Sequence, residues 1–356
     1  MTAPLDIIKP AVRALRAYTL SPHRASVKIN QNENPWDAPP EIKEEVLRRF
    51  AARKWSRYPD FVSVSLHERL AEFAGWKANG VIAGNGSNEL IQALLMVSVE
   101  PGKRVLISEP TFTLYKQVAT VLGGKVETVL LTPELTYDVA ALLRTIEATQ
   151  PDVTIICSPN NPTGCVINES DLIALLEASR GLVVIDEAYH EFAQQSVVPL
   201  LNEHENLIVL RTFSKAMAFA ALRVGYLLAS PELVTEIRKA VLPYNLNAFS
   251  QIAAEVAIEN YPTLLGPTVE AILTERESLY TAISHVQGLT PVLSKGNFML
   301  VRAERDVRQI FEELLKRDIL VRDVSGYPML SEYFRVSVGT PEENDRLVRA
   351  LHEIQG

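Results

Sequence analysis

The sequence predicts an α/β protein with two domains. The large domain has three layers with a mainly parallel sheet in the middle, and a smaller α+β domain follows it. Short β-branched runs such as RVLISEP, VTIICSPNNPTG and LVVIDEAYHEF alternate with longer amphipathic stretches. Polar and small residues gather directly after those runs, and after about residue 250 a long helical region interrupts the rhythm. Such alternation is typical of βαβ units and therefore of a parallel sheet.

The length and composition indicate an ordinary globular chain with more than one core. Its 356 residues correspond to about two domains. We predict a large domain over residues 31–250, with residues 1–30 and 251–356 forming an N-terminal segment and a small domain. The chain is 47% hydrophobic and 22% charged, which is typical of soluble proteins. A net charge of −8 disfavours a nucleic-acid partner.

The cysteine and histidine content predicts a cytoplasmic protein that holds no metal. Cys157 and Cys165 form no disulfide framework, and the six histidines have no HExxH or CxxC companion. The N-terminus lacks the apolar core of a signal peptide. No window approaches the apolar run that spans a membrane.

The stretch GNGSNEL, residues 84–90, joins a strand to a helix that opens at Ser87. A helix start exposes backbone N–H groups and a positive dipole end, which suits a phosphate. The pattern begins like GxGxxG, but Glu89 stands in the last position, so a nicotinamide-binding oxidoreductase has weak support. A plain turn between strand and helix is the alternative.

Two motifs after buried strands offer contacts for a polar ring. In SPNNPTG, Asn161 stands in a rigid loop where its amide can donate to a ligand oxygen. In VVIDEAYHEF, Asp186 ends an apolar strand, and a semi-buried carboxylate needs a cationic or hydrogen-bonding partner such as a protonated pyridine nitrogen. Tyr189 could aim its hydroxyl at a ring oxygen. An ordinary Asn-Pro turn and a helix-capping acid remain the simpler alternatives.

The stretch TFSKAMAFAALRVGY places Lys215 in apolar surroundings. Burial lowers the pKa of an amine, and a neutral amine is a nucleophile that can form a Schiff base. Thr212, Ser214 and Arg223 could bind a phosphate, the arginine with two parallel hydrogen bonds. The alternative is a solvated surface lysine.

These elements should meet in space, because ligands of parallel sheets bind beyond the carboxyl ends of the strands. We expect Gly86, Asn161, Asp186 and Lys215 to converge there. Together the elements supply a Schiff-base lysine, an acid for a pyridine nitrogen, donors for a phenolate oxygen and a phosphate cradle. Pyridoxal 5′-phosphate requires this set of contacts.

The motifs NENPW, RYP, GNGSNE, EPTF, CSPNNPTG, DEAYHEF, RTFSKAMAFAALRVGY and FRVSVG occur in one order over about residues 30–340. In that order the chain resembles the fold-type I pyridoxal-phosphate aminotransferases, and its RYP, DEAYHEF and RTFSKA segments resemble their histidinol-phosphate branch. The resemblance implies the aspartate aminotransferase fold and pyridoxal phosphate as cofactor. It also implies a ping-pong exchange of an amino group between L-histidinol phosphate and 2-oxoglutarate, in histidine biosynthesis.

The resemblance also implies roles for individual residues. Lys215 carries the cofactor and moves the proton, Asp186 holds the pyridine nitrogen, and Tyr189 binds the ring oxygen. The other residues expected at the cofactor are Asn161 at the ring oxygen, Phe112 on the ring face, and Ser87, Asn88, Thr212, Ser214 and Arg223 at the phosphate.

Further roles concern the substrate and a second subunit. Tyr58 is expected to reach the cofactor phosphate of a neighbouring subunit, which implies a homodimer. Arg335 is expected to bind the anionic end of the substrate, together with Asn161, and Tyr18 to help close the site.

Three departures from the family pattern bear on these expectations. Phe112 stands where a tyrosine is common, Ala221 where a glycine is usual, and Trp36 where a tyrosine is frequent. The last two leave the substrate open, so an aromatic amino acid aminotransferase or a threonine-phosphate decarboxylase of the same fold remains an alternative. Intact Lys215 and Asp186 argue against a non-enzymatic regulatory relative.

Overall fold

The computed structural model of the chain describes residues 4–15, 17 and 23–356. Its strands are β1 (Val27–Lys28), β2 (Val81–Gly84), β3 (Arg104–Glu109), β4 (Lys125–Leu130), β5 (Val153–Cys157), β6 (Leu182–Asp186), β7 (Leu207–Thr212), β8 (Gly225–Leu228), β9 (Leu289–Pro291), β10 (Phe298–Ala303), β11 (Ile319–Leu320), β12 (Arg322–Asp323) and β13 (Tyr333–Ser337).

The α-helices are α1 (Pro10–Ala14), α2 (Pro40–Ala51), α3 (Val64–Ala74), α4 (Ser87–Ser98), α5 (Leu114–Leu122), α6 (Val139–Thr149), α7 (Glu169–Ala178), α8 (His190–Ala193), α9 (Pro231–Arg238), α10 (Ala248–Asn260), α11 (Gly266–Ser284), α12 (Val307–Lys316) and α13 (Pro341–Gln355). Within the described ranges, no helix combines the length and apolarity that crossing a membrane requires.

The large sheet has the strand order β2-β8-β7-β6-β5-β3-β4. All its neighbours pair in parallel except at β8, which runs antiparallel to both β7 and β2. The predicted α/β class with a mainly parallel sheet is therefore confirmed. Six strands end at one edge, and β8 begins there, with Gly225 opposite both Thr212 and Gly84.

Both faces of this sheet are covered, because its central strands are apolar on both sides. β5 and β7 are buried throughout. One face packs against α2, α3, α6, α7 and α10, and the other against α4, α5 and α9. The result is the predicted three-layer arrangement, in which burial on both faces fixes the strand ends that carry polar side chains.

The C-terminal part forms an antiparallel sheet in the order β12-β13-β10-β9, packed against α11, α12 and α13. β1 pairs in parallel with β11, so the N-terminal strand joins this smaller unit. The predicted boundary at residue 250 falls inside α10, whose buried residues belong to the core of the large sheet. The packing changes further along, where α11 contributes Leu279 and Ile283 to the smaller core.

Candidate functional site

A cavity of about 440 Å³ lies at the edge where the parallel strands end. Loops after β2, β5, β6 and β7 line it on one side, and β12, β13 and residues 30–33 on the other. The cavity gathers these sequence-predicted residues: Ser87, Asn88, Phe112, Asn161, Asp186, Tyr189, Thr212, Ser214, Lys215, Arg223 and Arg335.

Lys215 follows β7 and points its amine at the cavity. The Nζ donates a hydrogen bond to the backbone oxygen of Gln31 at 2.8 Å. Burial lowers the pKa of Lys215 to about 7, and the nearby positive charge of Arg335 acts in the same direction. The carboxylate of Glu33 opposes both effects. A sizeable fraction of the amine is therefore neutral, and nucleophilic, at neutral pH.

Asp186 ends β6 and is buried. The Tyr115 hydroxyl donates to its Oδ2 at 2.6 Å, and the Ala188 backbone N–H donates to its Oδ1 at 3.1 Å. Burial raises the pKa of Asp186 to about 6, although both hydrogen bonds lower it. A cation placed against this carboxylate would stabilise its ionised form.

Sequence reasoning missed Tyr115. It lies on α5, three residues after Phe112, and is fully buried. The two rings pack edge to face, with 5.6 Å between their centroids. The two aromatic residues of TFTLY were the available signal, because the turn that leads into α5 brings the Tyr115 backbone N–H to the Phe112 oxygen and the two rings together. Phe112 reaches the cavity wall while Tyr115 supports the acid behind it.

The helix start at Ser87 forms a cradle that only glycines permit. Gly86 has a φ of 79°, and a Cβ there would lie 2.5 Å from Nη2 of Arg223. A Cβ on Gly225 would lie 2.3 Å from the backbone nitrogen of Ser87. Because Gly225 has no side chain, the start of β8 can lie against the N-terminus of α4, whose free N–H groups suit a phosphate.

Hydroxyl groups complete this cradle. The Thr212 Oγ1 donates to the Ser214 Oγ at 3.0 Å, and the Arg223 Nη1 donates to the same Ser214 oxygen at 3.1 Å. The loop that carries them is closed at its base, because the backbone N–H of Phe213 donates to the Val224 oxygen at 2.9 Å. Lys215 and Arg223 therefore belong to one loop between β7 and β8, which this hydrogen bond closes.

The two asparagines of SPNNPTG have different positions. Asn160 is buried, where its amide donates to the Pro110 oxygen and to Thr163 and accepts from Thr111. Asn161 lines the cavity, and its Oδ1 accepts a hydrogen bond from Nη1 of Arg335. Asn160 thus holds the loop in place, while Asn161 presents its amide to the site.

Tyr189 is buried beside the lysine. Its ring packs edge to face on Phe298, at 5.0 Å between centroids, and the Lys215 Nζ lies 5.8 Å from its ring centre. Its hydroxyl oxygen accepts a hydrogen bond from the Asn32 Nδ2 at 3.0 Å. Burial raises the pKa of Tyr189, so the phenol keeps its proton.

Two arginines line the opposite wall. Arg322 on β12 and Arg335 on β13 are direct partners in the antiparallel sheet, so their side chains share one face. Arg335 is buried and also donates to the Asn30 oxygen at 2.8 Å. The Arg322 side chain has no hydrogen-bond or ion-pair partner among the described residues. Sequence reasoning missed Arg322, because only the strand register brings it beside Arg335.

Tyr58 lies away from this cavity. Its side chain is 78% exposed, and its ring stacks on Tyr244 at 4.5 Å between centroids. Trp55 and Phe61 are exposed nearby in the sequence. Contact of Tyr58 with the site of a neighbouring subunit stays a prediction. Tyr18 lies outside the described residues.

Among the residues that the structure describes, no cluster of histidine, cysteine and acidic side chains could hold a metal ion. The cavity instead presents cations that suit an anionic organic ligand. These are Lys215, Arg223, Arg322 and Arg335.

Comparison with known proteins places the chain in a family. The sequence model of the aminotransferase class I and II family matches residues 25–351. Histidinol-phosphate aminotransferases of Chlorobium phaeobacteroides and Chlorobium phaeovibrioides are 40% and 38% identical to it, over 97% and 98% of this chain and 96% and 97% of the relatives. The crystal structure of histidinol-phosphate aminotransferase from Sinorhizobium meliloti in complex with pyridoxal-5′-phosphate superposes with a TM-score of 0.88 at 25% identity, covering 97% of this chain and 96% of that one. The family predicted from the motifs is thereby confirmed, and this chain belongs to the class I and II aminotransferases.

Proposed function

We propose that the chain is a pyridoxal 5′-phosphate-dependent transaminase that exchanges an amino group between L-histidinol phosphate and 2-oxoglutarate. One observation carries this proposal: a single cavity holds an amine of lowered pKa, a buried carboxylate and a glycine-bordered helix start. The relatives that share nearly the whole chain have the same activity in their names.

The residues of the cavity fit the proposed cofactor. The cradle at Ser87 can receive a phosphate, because the start of α4 and the side chains of Ser214 and Arg223 border the open cavity. The buried carboxylate of Asp186 has no cationic partner in the described part of the chain and suits the pyridine nitrogen. The remaining contacts would come from Asn88, Thr212, Ser214 and Arg223 at the phosphate, Asn161 and Tyr189 at the ring oxygen, and Phe112 on the ring face.

The cofactor, when bound, supplies an aldehyde carbon and an electron-withdrawing ring. The chain supplies the groups that move protons. Lys215, with its pKa near neutrality, can accept a proton from the substrate Cα and return it. Asp186 would be held in its ionised form by a protonated pyridine nitrogen, because the opposite charge offsets the cost of burial.

The substrate wall favours a phosphorylated amino donor. Two guanidinium groups face the cavity from neighbouring strands, Arg335 and Arg322, and the latter has no ion-pair partner among the described residues. A phosphate has three oxygens and up to two negative charges, whereas one arginine suffices for a carboxylate. Val324 and Tyr327 line the same wall and could pack against an imidazole ring. The carboxylate of 2-oxoglutarate would use Arg335 in the second half of the reaction.

We also infer a homodimer in which Tyr58 is contributed across the interface. The rings of Tyr58 and Phe61 both pack against the exposed Tyr244, and this contiguous aromatic surface supports the inference, because such a surface is typical of an interface. The low cysteine content supports a cytoplasmic location.

An absorbance titration of protein loaded with pyridoxal phosphate tests the proposal. We expect micromolar L-histidinol phosphate to convert the visible band of the bound cofactor into that of the amine form. Conversion only with phenylalanine or tyrosine would assign the chain to the aromatic alternative. Release of carbon dioxide from threonine phosphate would assign it to the decarboxylase. If the protein forms no visible band, the role of Lys215 is wrong.

A further inference from the structure

A chain of buried side chains connects β13 to the hydroxyl of Tyr189. The backbone N–H of Asn32 donates to the Ser337 Oγ at 2.8 Å, and the Ser337 hydroxyl donates back to the Asn32 Oδ1 at 3.0 Å. The Asn32 Nδ2 then donates to the Tyr189 hydroxyl oxygen at 3.0 Å. The exposed fractions of Asn32, Ser337 and Tyr189 are 1%, 3% and 4%, so bulk water does not compete.

The chemistry of these groups gives the hydrogen bonds one direction. A backbone N–H can only donate, so the Ser337 oxygen accepts it and keeps its own hydrogen for the amide oxygen of Asn32. An amide oxygen can only accept, and this contact therefore turns the NH₂ group of Asn32 toward Tyr189. The Tyr189 oxygen must accept a hydrogen bond from that group. The hydroxyl hydrogen of Tyr189 is then available to an acceptor in the cavity, which Tyr189 lines.

The position of Asn32 is also fixed by features other than its hydrogen bonds to Ser337 and Tyr189. It has a φ of 53°, in the left-handed region that asparagine tolerates better than most residues. Its backbone oxygen accepts a hydrogen bond from the Asn297 Nδ2 at 3.1 Å. Asn297 directly precedes β10, so this contact and the Ser337 contact on β13 hold the loop at Asn32 against the smaller unit.

We propose that Asn32 and Ser337 are positioning residues that make Tyr189 a hydrogen-bond donor to the ring oxygen of the cofactor. This inference rests on the proposed function. It adds two residues to the site and gives them one task, which is to exclude the opposite orientation, in which Tyr189 donates to Asn32 and leaves the ring oxygen unbonded.

The observable consequence is the pH midpoint at which the visible band of the bound cofactor changes. A donor at the ring oxygen disperses its negative charge, which makes the neighbouring nitrogen of Lys215 easier to deprotonate. Loss of this donor should raise the midpoint. The other charged groups that face Tyr189 and Lys215 are unchanged by the variants of Ser337; they are Lys28, Glu33, Asp186, Arg223, Arg322 and Arg335.

The test compares Ser337→Ala with Ser337→Thr in protein loaded with pyridoxal phosphate. Alanine frees the Asn32 amide to rotate, and we expect the midpoint to rise by about 0.5–1 pH unit. Threonine keeps the hydroxyl and should leave the midpoint within about 0.2 unit of the wild-type value. A third variant, Asn32→Asp, keeps the shape but places an acceptor against Tyr189, and covers the case in which Ser337→Ala does not fold.

Each variant is repeated in a Tyr189→Phe background. This background separates an effect that acts through the Tyr189 hydroxyl from a structural change of the site and from the added charge of Asn32→Asp. If Ser337 acts through Tyr189, Ser337→Ala adds no shift there, and the Asn32→Asp shift falls to its charge effect. An unchanged midpoint in Ser337→Ala, or a shift that persists without the phenol, would overturn the inference. A wild-type protein that forms no visible band would overturn the proposed function instead.

Discussion

The two walls of the cavity are built in different ways. The sheet wall consists of strand ends and the turns that follow them, and it carries Asp186, Asn161 and Lys215. The opposite wall is assembled from distant parts of the chain, since Asn32 and Ser337 are 305 residues apart in sequence. The sheet wall is proposed to hold the cofactor. The opposite wall is proposed to bind the substrate through Arg322 and Arg335 and to orient Tyr189 through Asn32 and Ser337. Most cofactor contacts are therefore encoded in short local motifs, whereas substrate selection and the orientation of Tyr189 depend on tertiary contacts.

The largest expected effect concerns the sheet wall. Lys215→Ala removes the only side-chain amine that the described residues place in the cavity, so transamination should fall at least about 1,000-fold. Single-turnover kinetics with L-histidinol phosphate measures this fall. Lys125→Ala, which removes an exposed amine that pairs with Glu127 on the edge strand β4, is the control. Normal turnover by Lys215→Ala would remove the chemical distinction between the two walls.

A smaller effect is expected at the phosphate cradle. Gly225→Ala would place a methyl group 2.3 Å from the Ser87 nitrogen, so the helix start must shift. Overpacking of this kind costs about 1–3 kcal/mol, and we expect cofactor affinity to fall by a matching factor. Gly326→Ala is the matched control, because a Cβ there meets nothing within 4 Å. Equal cofactor affinity in the two variants, measured by fluorescence titration, would contradict the assignment of the cradle.

The opposite wall can be tested for selectivity alone. Arg322→Leu removes a cation without removing any hydrogen bond to a described residue. The kcat/KM for L-histidinol phosphate should fall about 10–100-fold, because charge-assisted hydrogen bonds contribute about 1.5–3 kcal/mol. Cofactor affinity and the reaction with 2-oxoglutarate should change little. Equal losses for both substrates would show that the walls are not independent.

The smallest effect concerns Tyr115, behind the sheet wall. Its hydroxyl lowers the pKa of Asp186, which burial has raised to about 6. Tyr115→Phe should raise this pKa further, so a larger fraction of the carboxyl is protonated at pH 6 and cannot hold a pyridinium. We expect cofactor affinity to fall about 2–10-fold at pH 6 and less at pH 8. A loss that is the same at both pH values would indicate packing alone.

The same contrast explains which features sequence reasoning could find. Apolar runs, and the glycine, proline and polar residues that follow them, indicate where strands end and turns begin. The sheet and the positions of Asp186 and Lys215 were therefore predictable. Arg322 carries no local signal of its own, and Asn32 stands in the motif NENPW, which does not indicate its partner. Arg322 faces the cavity because of its register with Arg335, and Asn32 because Ser337 folds back onto it.

The closed loop between β7 and β8 limits which changes of sequence length the site can accept. Lys215 and Arg223 leave and return at the same sheet edge, with the Phe213–Val224 hydrogen bond at the base of the loop. An insertion within this loop would displace Lys215, the proposed nucleophile, and Arg223, the proposed phosphate anchor, together. The short β12 strand lies outside this loop, at the edge of the smaller sheet. Changes at β12 can therefore alter substrate preference while the proposed cofactor contacts of the loop stay in place.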